Sequence, residues 1–141
     1  MNFFYKLELL INLLRYRGLF VRKQYSKNKE DLYLKKVFKN KVKGTYIDIG
    51  AYHPYRLSNT YLLYRKGWRG INVDINKKSI DLFDMARPND LNLNIAIGSK
   101  DKMQIFYYKN IIYPMNTLNK DFAKRFWGKK VHIKKNKIMT R

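Results

Sequence analysis

Two aspartates and one glycine are the residues of this sequence best suited to bind a small ligand. Asp48-Ile-Gly50 ends a short β-rich run where a first strand meets its helix, and Asp74 ends the next such run. In doubly wound sheets, nucleotide-like ligands bind at this turn, and an acidic residue after the second strand accepts hydrogen bonds from two ribose hydroxyls. Glycine lets the backbone approach the ligand. The pair therefore predicts a site for an adenosine cofactor.

The turn after Asp48 differs from a pyrophosphate-binding loop. Tyr52, His53 and Pro54 occupy positions where further glycines would give a diphosphate room, and this disfavours NAD or FAD. An Asp-x-Gly-x turn suits a ligand with a cationic amino-acid portion, because the Asp48 carboxylate can lie near the ligand's ammonium group. We therefore expect S-adenosylmethionine as the cofactor.

Alternating strands and helices must position these residues. The pattern along the middle of the chain predicts a strand at 45–50, a helix at 58–66 capped by Ser58, a strand at 71–75, a helix at 77–86 and a strand at 91–97. We expect a further strand at 103–108 to pair with the third strand as a hairpin. Strands and helices that alternate with short connections are typical of a parallel α/β sheet. Additional helices are predicted at 3–14, 32–38 and 120–127.

Several strings resemble the FkbM family of S-adenosylmethionine-dependent methyltransferases. They are Tyr46 to Pro54, Ser58 to Thr60, Lys66 to Asp74, Arg87 to Asp90 and Asn94 to Gly98. Upstream, Ser26 to Leu32 is similar to the family's Ser-Gln-x-Gly-Glu-Asp-Leu segment, but Lys27 and Lys29 replace its usual Gln and Gly. The resemblance spans about residues 25–122. It implies a Rossmann-like methyltransferase fold that methylates a hydroxyl group of a sugar or another small-molecule or glycan acceptor.

The resemblance also implies roles for nine candidate cofactor-binding residues. Asp48, Gly50, Ala51 and Tyr52 would line the methionine end of the cofactor. Ribose and adenine would be held by Asp74, Ile75, Asn94 and Ala96. His53 has two interpretations, contact with cofactor or acceptor, and stiffening of the turn together with Pro54. Asn59 and Thr60 are expected to act as helix caps.

The carboxyl-terminal part departs from the family pattern. In the family, a later strand carries an Asp-x-Glu-Gly-type segment near the active site, and further strands complete the sheet. We therefore expect residues 1–44 to form a helical extension and 45–141 to form a partial, truncated and inactive or impaired methyltransferase domain. No catalytic base and no metal ligand are assigned.

The charge of the chain is large but uneven. The chain has 31 basic and 10 acidic residues and a formal net charge of +21, whereas we count 11 basic and 7 acidic residues within 46–122. A basic nucleic-acid-binding module is the alternative function, in which Tyr107, Tyr108, Phe126 and Trp127 stack on bases beside the tail at 129–141. Abundant Lys, Asn, Ile and Tyr, all with A/T-rich codons, offer another origin for the charge, and we expect no nucleic-acid partner.

The amino-terminal segment predicts an amphipathic helix. Phe3, Leu7, Leu10, Ile11 and Leu14 recur at helical spacing, and basic residues follow up to Lys23. One interpretation is peripheral membrane contact through residues 3–23. The other is a helix packed on its own domain. The absence of cysteine fits a reducing compartment, so we expect a cytoplasmic protein with or without membrane association.

Overall fold

The computed structural model describes residues 1–17, 24–108 and 113–128, together with the backbone of 134–140. Its helices are α1 (Phe3–Arg17), α2 (Glu30–Val37), α3 (Tyr61–Arg65), α4 (Lys77–Ala86) and α5 (Lys120–Trp127). Its strands are β1 (Thr45–Ile49), β2 (Arg69–Val73), β3 (Leu91–Leu93), β4 (Lys102–Tyr108) and β5 (Lys134–Thr140). Residues 18–23 of the predicted membrane-contact segment and residues 129–133 of the basic tail lie outside the described residues.

Three parallel strands form the main sheet, in the order β1-β2-β3. Ile47 lies opposite Ile71, which in turn lies opposite Leu91, and the next apolar row follows two residues later. The strands are separated by α3 and α4 along the chain, as short parallel crossovers require. The expectation of an α/β fold with a parallel sheet is confirmed at this level.

The two faces of the sheet differ in what covers them. Asp48 and Asn92 point to the face that carries the helices, since Asp48 bonds Thr60 just before α3 and Asn92 bonds Asp84 within α4. The alternate residues Ile47 and Ile49 point to the opposite face and are 67% and 63% exposed. Neighbouring residues of a strand face opposite sides of its sheet, so this apolar face follows directly from the register.

The predicted hairpin between the third and fourth strands is wrong. β3 ends at Leu93, and β4 pairs antiparallel with β5, so that Tyr108 lies opposite Lys134. The side chain of Asn94 explains where β3 ends. Its Nδ2 donates to the carbonyl oxygens of Asp74 and Ile75, at 3.0 and 2.9 Å. An amide side chain, rather than a continued strand, therefore satisfies the carbonyl groups that follow β2.

Side-chain caps set the start of two helices. α4 and α5 have the predicted bounds, and Asn76 Oδ1 and Asn119 Oδ1 accept hydrogen bonds from backbone N–H groups in their first turns. The helix predicted at 58–66 is observed as the shorter α3, which begins only at Tyr61. Ser58 is not its cap. The Ser58 hydroxyl instead accepts a hydrogen bond from the buried Arg87.

Two apolar clusters hold the elements together. Leu9 and Leu13 of α1 pack with Tyr55 and with Leu82 of α4. A second cluster joins β4 to α5 and consists of Tyr107, Ala123 and Trp127. Within the described part of the chain, no helix is long and apolar enough to cross a membrane.

Candidate functional site

A cavity of about 390 Å³ opens at the carboxyl ends of the parallel strands. Its walls come from the segments after β1, β2 and β3, from β4 and from the loop before α5. This volume falls in the range of small-molecule and cofactor sites. The described residues around it include Ile49, Gly50, Tyr52, Val73, Asp74, Ile75, Asn76, Ser79, Ile95, Ala96, Phe106, Tyr113 and Thr117.

The cavity brings together five of the nine predicted cofactor-binding residues. These are Gly50, Tyr52, Asp74, Ile75 and Ala96. The other four, which do not line it, are Asp48, Ala51, His53 and Asn94. Both predicted residues that follow β2 line the cavity. Of the predicted residues around the turn after β1, Gly50 and Tyr52 line the cavity, whereas the other three lie in the interior.

Asp74 supports the loop that forms one wall of the cavity. Its two carboxylate oxygens accept hydrogen bonds from the backbone N–H groups of Tyr52 and Asn76, at 2.8 and 2.7 Å. Burial raises the pKa of the Asp74 carboxyl above its ordinary value, and these two N–H groups partly offset that rise. Each oxygen has a second lone pair, so the carboxylate can also accept hydrogen bonds from a ligand.

The loop after β1 has an unusual backbone. Gly50 has φ of 72° and Tyr52 has φ of 59°, and only glycine adopts this left-handed region without cost. The Gly50 N–H donates to the Val73 carbonyl at 2.8 Å, which ties the loop to β2. A side chain at position 50 would meet no atom within 4 Å. Glycine is therefore required here by the backbone angle, and the space beside it is open.

Asp48 points away from the cavity, into a buried polar network. The Thr60 hydroxyl donates to Asp48 Oδ2 at 2.8 Å, and Arg87 Nη1 donates to Thr60 Oγ1 at 2.9 Å. Burial raises the pKa of Asp48, and both Thr60 and Arg87 oppose that rise. The structure thus places Asp48 in an internal network and not in the cavity wall, and its contact with a ligand ammonium stays a prediction. Thr60 does occupy the predicted N-cap position of α3, but its hydroxyl joins Asp48 to Arg87 and makes no cap bond to the helix.

Arg87 is the centre of this network, which the sequence analysis missed. Its side chain is fully buried, and it donates to the Pro54 carbonyl and to Ser58 Oγ as well as to Thr60. The guanidinium also lies over the rings of Tyr61, Tyr64 and Phe83, at 5.4, 5.2 and 5.0 Å. A buried charge needs such partners to remain ionised. The hydroxyl residues Ser58 and Thr60 were the signal for this network in the sequence, because a guanidinium group donates hydrogen bonds to hydroxyl oxygens.

His53 stiffens the turn, the second of its two interpretations. Its Nδ1 accepts hydrogen bonds from the backbone N–H groups of Tyr55 and Arg56, both at 3.0 Å. The proton must therefore sit on Nε2, which lies 3.0 Å from Asn12 Oδ1 in α1. Burial, followed by the nearby Arg56 and Arg87 charges, lowers the pKa of His53 to about 3. The imidazole is neutral and connects α1 to the loop after β1.

The segment before α5 forms a wall of the cavity that the sequence analysis did not predict. Tyr113, Pro114, Thr117 and Leu118 all line it. The Thr117 backbone exchanges two hydrogen bonds with Tyr107, at 2.8 and 3.0 Å, which fixes this segment on β4. No local motif announces such a wall, because its position depends on tertiary contact between distant parts of the chain.

Two of the four proposed base-stacking residues lie in the interior. Tyr107 and Trp127 are both 7% exposed and belong to the cluster between β4 and α5. Phe126 is exposed, but its ring stacks on Phe122 at 5.3 Å. Base stacking needs open aromatic faces, so Tyr107 and Trp127 cannot supply it in this fold. The side chains of the basic tail at 129–141 lie outside the described residues.

Comparison with known proteins leaves the family open. No family model, no curated protein and no solved structure matches this chain.

Proposed function

We propose that the cavity at the carboxyl ends of β1, β2 and β3 binds S-adenosylmethionine, and that the chain is the cofactor-binding part of an FkbM-type methyltransferase with a Rossmann-like sheet. The observation that carries the proposal is the position of Asp74. This carboxylate follows the second of three parallel strands, lines the cavity and binds the turn after the first strand through the Tyr52 N–H. The acceptor is proposed to be a hydroxyl group of a sugar or another small molecule.

The residues of the cavity fit the parts of this cofactor. The Asp74 carboxylate would accept hydrogen bonds from the ribose hydroxyls. Ile75 and Ala96 offer apolar surface suited to an adenine ring, and Tyr52 with the open space beside Gly50 would take the methionine end. When bound, S-adenosylmethionine supplies a methyl group on a positively charged sulfur. The chain orients that group, and none of the described residues is assigned as the base that takes the acceptor's proton.

Calorimetry with S-adenosylmethionine tests this proposal. We expect the wild-type protein to bind it, and Asp74→Asn to weaken binding by about tenfold or more, because one good hydrogen bond to a charged group contributes about 1.5–3 kcal/mol. Asp74 also holds the loop, so a second variant, Ala96→Leu, fills the adenine side of the cavity without touching that carboxylate. Asp101→Asn, at an exposed aspartate, is the matched control and should bind as the wild type does.

Two results would overturn the proposal. One is a folded wild-type protein that gives no binding heat with S-adenosylmethionine. The other is binding that neither Asp74→Asn nor Ala96→Leu weakens, which would place the ligand elsewhere. Titration with NAD serves as a comparison, since a preference for NAD would indicate a different adenosine cofactor.

A further inference from the structure

The α1 helix has two apolar faces. One face is buried, through Leu9 and Leu13, against α4 and Tyr55. The opposite face carries a second set of apolar side chains, all exposed to solvent. These are Phe3, Phe4, Leu7, Leu10, Ile11 and Leu14, and we call them the outer stripe.

The outer stripe is continuous and wide. Its members recur at spacings of three and four residues, which places them side by side along one face of a helix. Phe3 and Phe4 are 73% and 79% exposed, so the largest side chains of the stripe have almost no cover. Exposed apolar patches of this kind on soluble domains mark sites of interaction with proteins or membranes.

Basic residues flank the outer stripe on both sides. Helical geometry places Lys6 and Arg17 along one border and Arg15 along the other, and all three are exposed. The single acidic residue of α1, Glu8, forms an ion pair with Lys78 of α4 and not with these cations. An apolar stripe between rows of cations is the arrangement of helices that lie in the interface of an anionic membrane.

The outer stripe itself contains no hydrogen-bonding side chain. Protein interfaces of standard size carry direct hydrogen bonds, whereas a bilayer interface needs only apolar area and opposite charge. A second copy of this chain is disfavoured as the occupant, because two molecules with a net charge of +21 repel each other. We propose that α1 docks the protein on an anionic membrane surface, with the outer stripe in the interface and Lys6, Arg15 and Arg17 at the lipid headgroups.

Vesicle sedimentation of the full chain tests this docking. The probes are phosphatidylcholine vesicles that contain phosphatidylglycerol, and vesicles of phosphatidylcholine alone. We expect the wild-type protein to pellet with the anionic vesicles and much less with the neutral ones, and its binding should weaken as salt is added. Replacing two stripe residues, Phe4→Ser with Ile11→Ser, should reduce binding by about tenfold per side chain.

Matched variants separate docking from other effects. Val42→Ser with Met103→Ser removes two exposed apolar side chains away from α1 and should leave vesicle binding unchanged. Circular dichroism of the stripe variant should match the wild type, because neither residue is buried. The proposal is overturned if the wild-type protein stays in the supernatant with anionic vesicles, or if the stripe variant binds them equally well. It is also overturned if the stripe variant changes only the oligomeric state, since a second copy would then be the occupant.

Discussion

The buried guanidinium of Arg87 has no carboxylate in direct hydrogen-bond contact among the described residues. Its charge reaches Asp48 through the Thr60 hydroxyl and Asp90 through the Tyr46 hydroxyl. The Arg87 cation is thus linked to two carboxylates without a direct ion pair, because each hydroxyl accepts a hydrogen bond from the guanidinium and donates one to a carboxylate. The network joins β1, β2 and the segments around α3. It supports the loop after β1 from the side opposite the cavity.

The neutral His53 makes stability depend on pH. Its pKa is about 3 in the folded protein and about 6.5 in the unfolded chain, so its stabilising effect is complete above pH 6.5 and is lost as the pH falls toward 3. We expect the free energy of unfolding to fall by up to about 1.4 kcal/mol per pH unit within that window. Denaturant unfolding measured at several pH values gives this slope.

A His53→Gln variant isolates this contribution from that of the aspartates. Burial raises the pKa of Asp48 and Asp74, which favours the protonated folded state and makes their stabilising effect decline as the pH rises above 3.8. Those two groups are common to both proteins, so the difference between the two pH curves reports His53. Parallel curves between pH 6.5 and 3 would contradict the assigned neutral state.

At the scale of elements, the start of α2 carries a strained residue. Lys29 has φ of 68° immediately before the helix, in the region where glycine is favoured, and the family resemblance places a glycine there. The helix is nevertheless well anchored, because the buried Asp31 accepts hydrogen bonds from the Tyr25 N–H and the Ser26 hydroxyl, both at 2.6 Å. The surrounding contacts thus hold Lys29 in a costly conformation.

The same Lys→Gly substitution at two positions in and beside α2 should have opposite effects on the free energy of unfolding. Lys29→Gly should stabilise the protein by about 0.5–1 kcal/mol, because it relieves the left-handed strain of a residue with a Cβ. Lys35→Gly, within α2 and exposed, should destabilise it by about 1 kcal/mol, because glycine lowers helix propensity. Urea denaturation of the two variants gives both signs. A loss of stability in each would mean that the conformation at position 29 is not strained.

Local signals in the sequence determined some elements, and distant contacts determined others. α4 and α5 match their predicted bounds because an amphipathic pattern lies between nearby stop signals, such as Gly128 after Trp127. The shortened third strand depends on the Asn94 amide, and the start of α3 depends on Arg87, both through contacts across many residues. At the cavity, Gly50 and Asp74 were predictable from strand ends. The wall at 113–119 was not, because only the tertiary fold brings it there.

At the scale of the whole molecule, the sheet has an apolar face and an unpaired strand edge among the described residues. Within the described residues β1 pairs only with β2, so its other edge has no strand beside it. Ile47, Ile49 and Leu91 are exposed on the face opposite α3 and α4, whereas Val73, on the same face, is buried at the cavity. Parallel sheets are normally covered on both faces, and an open edge invites pairing with another chain. The net charge of +21 opposes such association by repulsion.

Added salt should therefore promote self-association of this protein. Salt screens the repulsion between molecules but leaves the apolar contact intact. Ile47→Lys should suppress the association, and Val42→Lys, at an exposed position in the loop before β1, should not. Sedimentation velocity over a range of salt concentrations measures this, with Phe4→Ser and Ile11→Ser present in every protein so that α1 does not contribute. Equal association of Ile47→Lys and Val42→Lys would exclude the sheet as the contact.

The hydrogen bond between Asn12 and His53 joins α1 to the loop after β1, where Tyr55 also packs on Leu9 and Leu13. His53 directly follows Tyr52 in the cavity wall, and Asn12 lies on α1 between its packed and outer faces. A ligand in the cavity and a surface beneath α1 would therefore act on two elements that are in direct contact. By the reciprocity of linked equilibria, if a ligand in the cavity strengthens attachment of α1 to a surface, that attachment strengthens ligand binding by the same factor.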